Sequence, residues 1–588
     1  MAAPASEGLP TSNSFTNSIN AERVLPSTEL TPKQTNMNRN RHLAIALVAV
    51  GISGAAQGQR YLTEVFTNAQ ITETPNVTYG TNINFLSSNF GSPLVTANIT
   101  ELQTAVTLGN PIPAPFFDVN DPSTAIKVQP VQLDVYAPSS AIDDVTERPL
   151  VVYLHTGNAL PPPVNGSPNG RRTDSTAVEV CRRMARRGYV AVSLGYRGGW
   201  NPLAATEEER RGQLLNAIYR AMHDTRQGIR FMKAEAATYE IDPDKIIVFG
   251  EGTGGYISLA NATLDKPEEL FIDKFLPDPF DPTTSYVDTT QVGNLQGFGG
   301  SLTLYRPNGF DATAQFCVNM GGALADTSWL EPGDVPMVSF HTVYDPYAPF
   351  TEGIVIVPTT NGPVVPVQGP NLFMELVNQY GNNNSFNTLP DDAYSSVARS
   401  LYGTTPAGGT VAIRSNVEGL FPFIRPRWPS PAVDEASPWQ WWDPNHPFAT
   451  AASPVPGLTV HQVSLASNPD MSPEKARTYL DTVMGYLNPR IVCALELGPC
   501  SLVNIDENDP IAAGVELYPN PAHDQFTVTS NAAVIRHFEI FDINGRMMRT
   551  ATVNSDRIVI DRNGLDAGVY FVQLHYASGT LTRRVVLD

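Results

Sequence analysis

From about residue 129 the chain alternates short apolar runs with stretches of helical periodicity. Residues 148–155, RPLVVYLH, read as a buried strand that ends in the turn His155-Thr156-Gly157-Asn158. Residues 175–187 carry a helical pattern, 189–196 a second buried strand and 206–235 a long helix. Asp242-Pro243-Asp244 then turns the chain into a third strand at 245–250. A glycine-rich turn, Gly250-Glu251-Gly252-Thr253-Gly254-Gly255-Tyr256, follows and leads into another helix. Two further strands fall at 316–320 and 337–341, and the valine-rich run 364–367 is taken as the last. Strands alternating with helices predict a mostly parallel sheet with flanking helices, an α/β architecture over residues 129–501.

The pattern differs on either side. Residues 59–128 are β-rich, and the alternation across 60–84 predicts either a hairpin at the sheet edge or a separate small module. After the polar linker 502–514, short alternating strands at 526–529, 537–542, 557–560 and 569–576 are punctuated by Asn544-Gly545 and Ser578-Gly579. These predict a small all-β sandwich over residues 515–588.

Composition sharpens the picture at a few points. At 588 residues the chain exceeds what one core accommodates, so two to four domains are expected. Acidic residues outnumber basic ones 58 to 38, for a formal charge of -20, which disfavours nucleic acid and anionic lipid as partners. The run LAIALVAVGISGAA at 43–56 follows Arg39 and Arg41 and precedes small residues, the layout of a secretory signal peptide over 37–58. It is shorter than the ~20 residues a membrane span requires, although an uncleaved anchor is the alternative. Residues 1–36 are polar and patternless, and Met37 stands where such a peptide would start, so a misassigned start codon is the expectation. Membrane contact is thus expected only during export or surface anchoring. Of four cysteines, Cys493 and Cys500 are near enough to pair in an oxidising compartment, and Cys181 and Cys317 read as buried thiols.

The words Tyr518-Pro519-Asn520-Pro521-Ala522, Asp542-Ile543-Asn544-Gly545, Leu565-Asp566-Ala567-Gly568-Val569-Tyr570 and the terminal RRVVLD resemble the C-terminal sorting domain of type IX secretion substrates. The resemblance implies Sec export, then outer-membrane passage by the type IX machinery as partner of residues 515–588, with this domain removed at the cell surface. A carbohydrate-binding or adhesive module is the alternative. Residues 129–501 resemble the α/β-hydrolase superfamily in its carboxylesterase and lipase-like branch, motif by motif from 148 to 350. There His155-Thr156-Gly157 stands at the oxyanion turn, with Thr156 where a glycine is expected. Asp345, followed by Pro346-Tyr347-Ala348-Pro349, stands at the acid, and residues 250–254 form the nucleophile elbow.

The projecting elbow position is Gly252, which has no side chain to acylate; Gly-x-Ser-x-Gly occurs nowhere in the sequence, and its nearest look-alike, GISGA around Ser53, lies inside the signal sequence. Thr253 is a weak substitute whose hydroxyl is expected to cap the following helix. Elimination among nine histidines leaves His446 and His461 as bases, His446 being the named candidate, since the loop after 364–367 has none. The expectation is therefore an exported esterase relative that binds rather than cleaves. The alternatives are an active ester hydrolase using Thr253, or a surface adhesin. Trp439, Trp441 and Trp442, in a segment with Trp428, either stack on an ester or glycan ligand or pack loops against the core. No cofactor or metal is expected; Asp278, Asp281 and Asp288 lack metal-ligand spacing and read as loop solvation.

Overall fold

The computed structural model describes residues 60–588 apart from 358–361, 407–408, 426–434, 499, 501–513, 532, 543–546, 577–579 and 588. The extension 1–36, the signal segment 37–58, nearly all of the linker, the turns at Asn544-Gly545 and Ser578-Gly579, and Trp428 lie outside the described residues.

Eight strands build the main sheet: β1 (Ile71–Ile83), β2 (Val128–Pro138), β3 (Arg148–Leu154), β4 (Val190–Leu194), β5 (Ile241–Glu251), β6 (Phe316–Met320), β7 (Met337–Thr342) and, beyond the hairpin β8 (Glu352–Ile356) and β9 (Pro363–Gln368), β10 (Leu420–Phe423). Their spatial order is β1-β2-β4-β3-β5-β6-β7-β10. β2 runs antiparallel to both β1 and β4, and the pairs from β4 to β10 are parallel. The long β1 lies at the sheet edge, but residues 60–84 hold this single strand, paired with β2, and not the expected hairpin, and the stretch to 128 expected to be β-rich instead carries the helix Val95–Thr107.

Covering both faces makes the central strands largely apolar, and every residue of β3 is buried. Successive side chains point to opposite faces. Val152 and Leu154 pack with Met222 and Ile229 of α3 (Glu207–Ala234) and Ile257 of α4 (Thr253–Thr263); α1 (Val95–Thr107) belongs to the N-terminal region. Val151 and Tyr153 pack on the other face with Val180 and Met184 of α2 (Ser175–Arg186), and with Leu480 and Leu487 of the long C-terminal helix Pro473–Ala494. Helix α3 begins where Thr206 accepts from the Glu209 amide and three glutamates fill the first turn, a cap and a charge pattern that both favour a helix start. Within its buried face Asp224 accepts from the Arg197 amide (2.7 Å), from Arg197 Nη2 (2.8 Å) and from Tyr305 OH (2.7 Å).

The structure corrects the expected last strand. Residues 364–367 belong to the β8–β9 hairpin, a separate two-stranded sheet, and β10 closes the main one. Valine content drew the reading to the hairpin, whereas β10 is only four residues long and contains Pro422. Proline is tolerated there because β10 lies at the sheet edge.

The C-terminal region forms two antiparallel sheets, β11 (Val515–Tyr518), β12 (Gln525–Ser530) and β15 (Arg557–Asp561) against β13 (Ile535–Asp542), β14 (Met547–Ser555), β16 (Gly568–His575) and β17 (Thr580–Leu587). Phe526, Val528 and Ile560 from the first share one core with Ile540, Val572 and Leu574 from the second, a sandwich as predicted. Cys493 and Cys500 are joined in a disulfide, and Cys181 and Cys317 are buried free thiols. Among the described residues no helix is long and apolar enough to cross a membrane.

Candidate functional site

Three chain turns converge at the C-terminal ends of the parallel strands. The first follows β3. There the His155 ring stacks on Tyr196 with centroids 4.3 Å apart, and burial lowers its pKa to about 4, so it is neutral at pH 7. Gly157 adopts φ 123°, and a Cβ there would meet Gly170 Cα at 2.5 Å, so only glycine fits this turn.

The second turn joins β5 to α4. Gly252 has φ 53° and ψ -113°, the strained conformation of a residue that projects above a sheet. Gly250 and Gly254 allow the close approach: a Cβ on the first would run into the Gly254 carbonyl, and one on the second into that of Leu154. A Cβ at Gly252 would overlap Thr156 Oγ1 and lie 3.1 Å from Thr156 Cβ. The threonine of the first turn thus fills the space above the glycine of the second.

Neighbouring residues lock this arrangement. Thr253 Oγ1 does not cap its helix, as expected from sequence, but accepts the Asn158 amide at 2.7 Å, a better use of a hydroxyl facing an otherwise unpaired turn N–H. Glu251 is buried and accepts from Tyr153 OH (2.7 Å), Trp439 Nε1 (3.1 Å) and Gln440 Nε2 (2.7 Å). Burial raises its pKa although the three donors oppose the shift.

The third turn follows β7. Asp345 Oδ1 accepts from the Tyr347 and Ala348 amides at 2.8 and 3.0 Å, while Oδ2 lies 4.0 Å from His341 Nε2. Burial raises the carboxyl to about 7 and lowers His341 to about 4. Unfolded, the same carboxyl ionises near 4, so between about pH 4 and 7 the folded chain holds a proton that the unfolded chain releases. Stability from this group is complete below pH 4 and falls by about 1.4 kcal/mol per pH unit towards 7. Asp345→Asn keeps the acceptor and removes the ionisation. Denaturant unfolding is expected to show it more stable than the wild type at pH 8 and equal to it at pH 4. A constant difference across that range would disprove the assignment.

A cavity of about 130 Å³ opens between these turns, lined by Thr156, Asn165, Tyr347, Ser437, Gln440 and Trp442 among others. The lining is polar and contains no histidine among the described residues. His446 lies outside it, its Nδ1 accepting from the Phe448 amide of its own short helix, and His461 Nδ1 accepts from Trp442 Nε1. Trp439 is fully buried on Glu251 and Trp441 packs in the core, so of the three candidate tryptophans only Trp442 faces the cavity. A second chamber of about 100 Å³ lies on the other side of Thr253, apolar and roofed by the β8–β9 hairpin. Asp278, Asp281 and Asp288 each receive local turn hydrogen bonds at the surface.

Sequence reasoning missed Glu251 and the filling role of Thr156. The signal for the second was present: a larger residue in one turn and a smaller one in the turn packed against it.

The strand order and the glycine-flanked elbow define an α/β-hydrolase fold. The chain thus joins an α/β-hydrolase-fold region to a C-terminal type IX sorting domain. Residues 133–291 match the BD-FAE family, and residues 516–588 match the secretion system C-terminal sorting domain family. The sorting domain implies export through the type IX system to the cell surface or extracellular space. An endo-acting ulvan lyase of Formosa agariphila is 36% identical over 73 residues, 12% of this chain, and the match spans only 14% of that relative. Among solved structures, a propionate-bound esterase of Thermogutta terrifontis is 16% identical, over 37% of this chain and 70% of that one, with TM-score 0.25. The same esterase phosphorylated by paraoxon is 17% identical, over 38% and 69%, with TM-score 0.24.

Proposed function

We propose that this protein is a non-catalytic relative of secreted esterases that holds a small ester or glycan in the cavity beside Thr156. The observation that carries the reading is the Thr156 side chain filling the space above Gly252. Acyl transfer needs a nucleophile with a base within hydrogen-bond reach. Here the nucleophile position has no side chain, Asp345 is tied to its own loop, and the cavity wall carries no imidazole among the described residues. Polar donors and acceptors around a cavity of this size suit hydroxyl-rich or ester ligands.

The test is turnover of short-chain nitrophenyl esters by the purified chain beside Thr253→Ala and His446→Ala. The expected result is background hydrolysis in all three. Turnover in the wild type that vanishes in either variant would establish an active hydrolase using a non-standard nucleophile or base instead.

Residues 37–58 serve in this reading as a signal peptide, with 59–501 and 515–588 as hydrolase-like and sorting regions. Mass spectrometry of the exported protein is expected to find an N-terminus close to residue 59. A mature form that retains residues 43–56 would show an anchor.

A further inference from the structure

We propose that the outer face of the sorting domain carries a divalent transition-metal site made by His537, Glu539 and His575. The inference is independent of the proposed function of the hydrolase-like domain. Strand alternation places these three side chains together: Phe538 and Ile540 of β13 point into the sandwich core with Val572 and Leu574 of β16, so their neighbours point outward. His537 stands directly opposite His575 in the β13–β16 ladder, and Glu539 lies two residues further along the same face.

The spacing suits a shared cation. Glu539 Oε2 is 3.2 Å from His575 Nε2, and Glu539 Oε1 is 3.5 Å from His537 Nε2. Ligands bound at about 2.0–2.1 Å around tetrahedral zinc are about 3.3–3.4 Å apart. The three ligand atoms all lie within 4.8 Å of one another. Two imidazoles and one carboxylate form a borderline N/O donor set, which selects zinc and its neighbours over calcium or magnesium and leaves a fourth position for water.

The surroundings support the ligand set. Thr550 Oγ1 lies 2.8 Å from His537 Nε2 but also 3.2 Å from the Phe538 carbonyl, so its hydroxyl keeps a partner when the imidazole turns to a metal. Thr552 Oγ1 lies 3.4 Å from Nδ1, where an outer partner orients a ligating ring. A simple ion pair needs one imidazole. Here two, with ring centroids 5.2 Å apart, face a single carboxylate.

The experiment is equilibrium dialysis of the EDTA-treated full chain against Zn²⁺, with metal content read by elemental analysis. One equivalent is expected for the wild type. His537→Gln and His575→Gln should each weaken binding at least tenfold, Glu539→Gln likewise, and His523→Gln, outside the cluster, should leave it unchanged. Circular dichroism establishes that each variant is folded, and with Co²⁺ the wild type and His523→Gln should give the visible absorption of a tetrahedral site while the three ligand variants should not. No binding by the wild type, or equal binding by the folded Glu539→Gln and His575→Gln variants, would overturn the proposal.

Discussion

Gly252→Ser alone is expected to yield a less stable protein with no esterase activity. An L-residue at φ 53°, ψ -113° carries about 1–3 kcal/mol of backbone strain. Overlap of its side chain with Thr156 adds about as much again through overpacking. Thr156→Gly removes the second contribution, so the double variant should recover about 1–3 kcal/mol relative to additivity. Denaturant unfolding of the four members of this cycle measures that coupling. Activity should remain at background even in the double variant, because the cavity lining beside Thr156 holds no histidine among the described residues to take a proton from the new hydroxyl. Adding Ser437→His to the double variant is expected to raise ester turnover about a hundredfold, the scale of general-base assistance. An active Gly252→Ser single variant would refute the packing argument and show a base within reach, while supporting Gly252 as the vacant nucleophile position.

Asp224→Ala is expected to cost about 3–5 kcal/mol, the range for breaking a buried ion pair from one side. Arg197 and Asp224 are almost fully buried, and the carboxylate also receives the Arg197 amide and Tyr305 OH. Its loss leaves the buried guanidinium with only the Ile83 carbonyl as acceptor and removes the carboxylate from the Tyr305 hydroxyl. It also exposes Arg220 to uncompensated repulsion: burial first, then the Arg197 charge, already lowers that guanidinium to about 9. Because α3 also walls the apolar chamber, the variant should loosen it and bind hydrophobic dyes more strongly. A loss below about 1 kcal/mol would mean water replaces the carboxylate easily.

Much of the fold was legible because the parallel strands are buried on both faces and so read as continuous apolar runs. Arg148–Leu154, Phe316–Met320 and Met337–Thr342 all stand out in this way. β10 did not, since four residues including a proline carry too little periodicity to outweigh the valines of the hairpin. The elbow was legible from its glycines, whose spacing follows from backbone contacts. The role of Thr156 was not, because it depends on two turns nearly a hundred residues apart meeting in space. The pairing of His537 with His575 was hidden for the same reason: strand register, unlike composition, is set by the whole sandwich.

The contact between Thr156 and Gly252 also constrains descent. A threonine at the first position crowds any side chain at the second, so an intermediate that carries both is destabilised. The less costly path between a serine-bearing elbow and the present one passes through a protein with glycine at both places, which gains nothing by itself. Return to catalysis then requires two ordered substitutions and a new base, none of them favoured alone. Packing thus acts as a ratchet: once the threonine is in place, selection for hydrolysis has no single step to act upon.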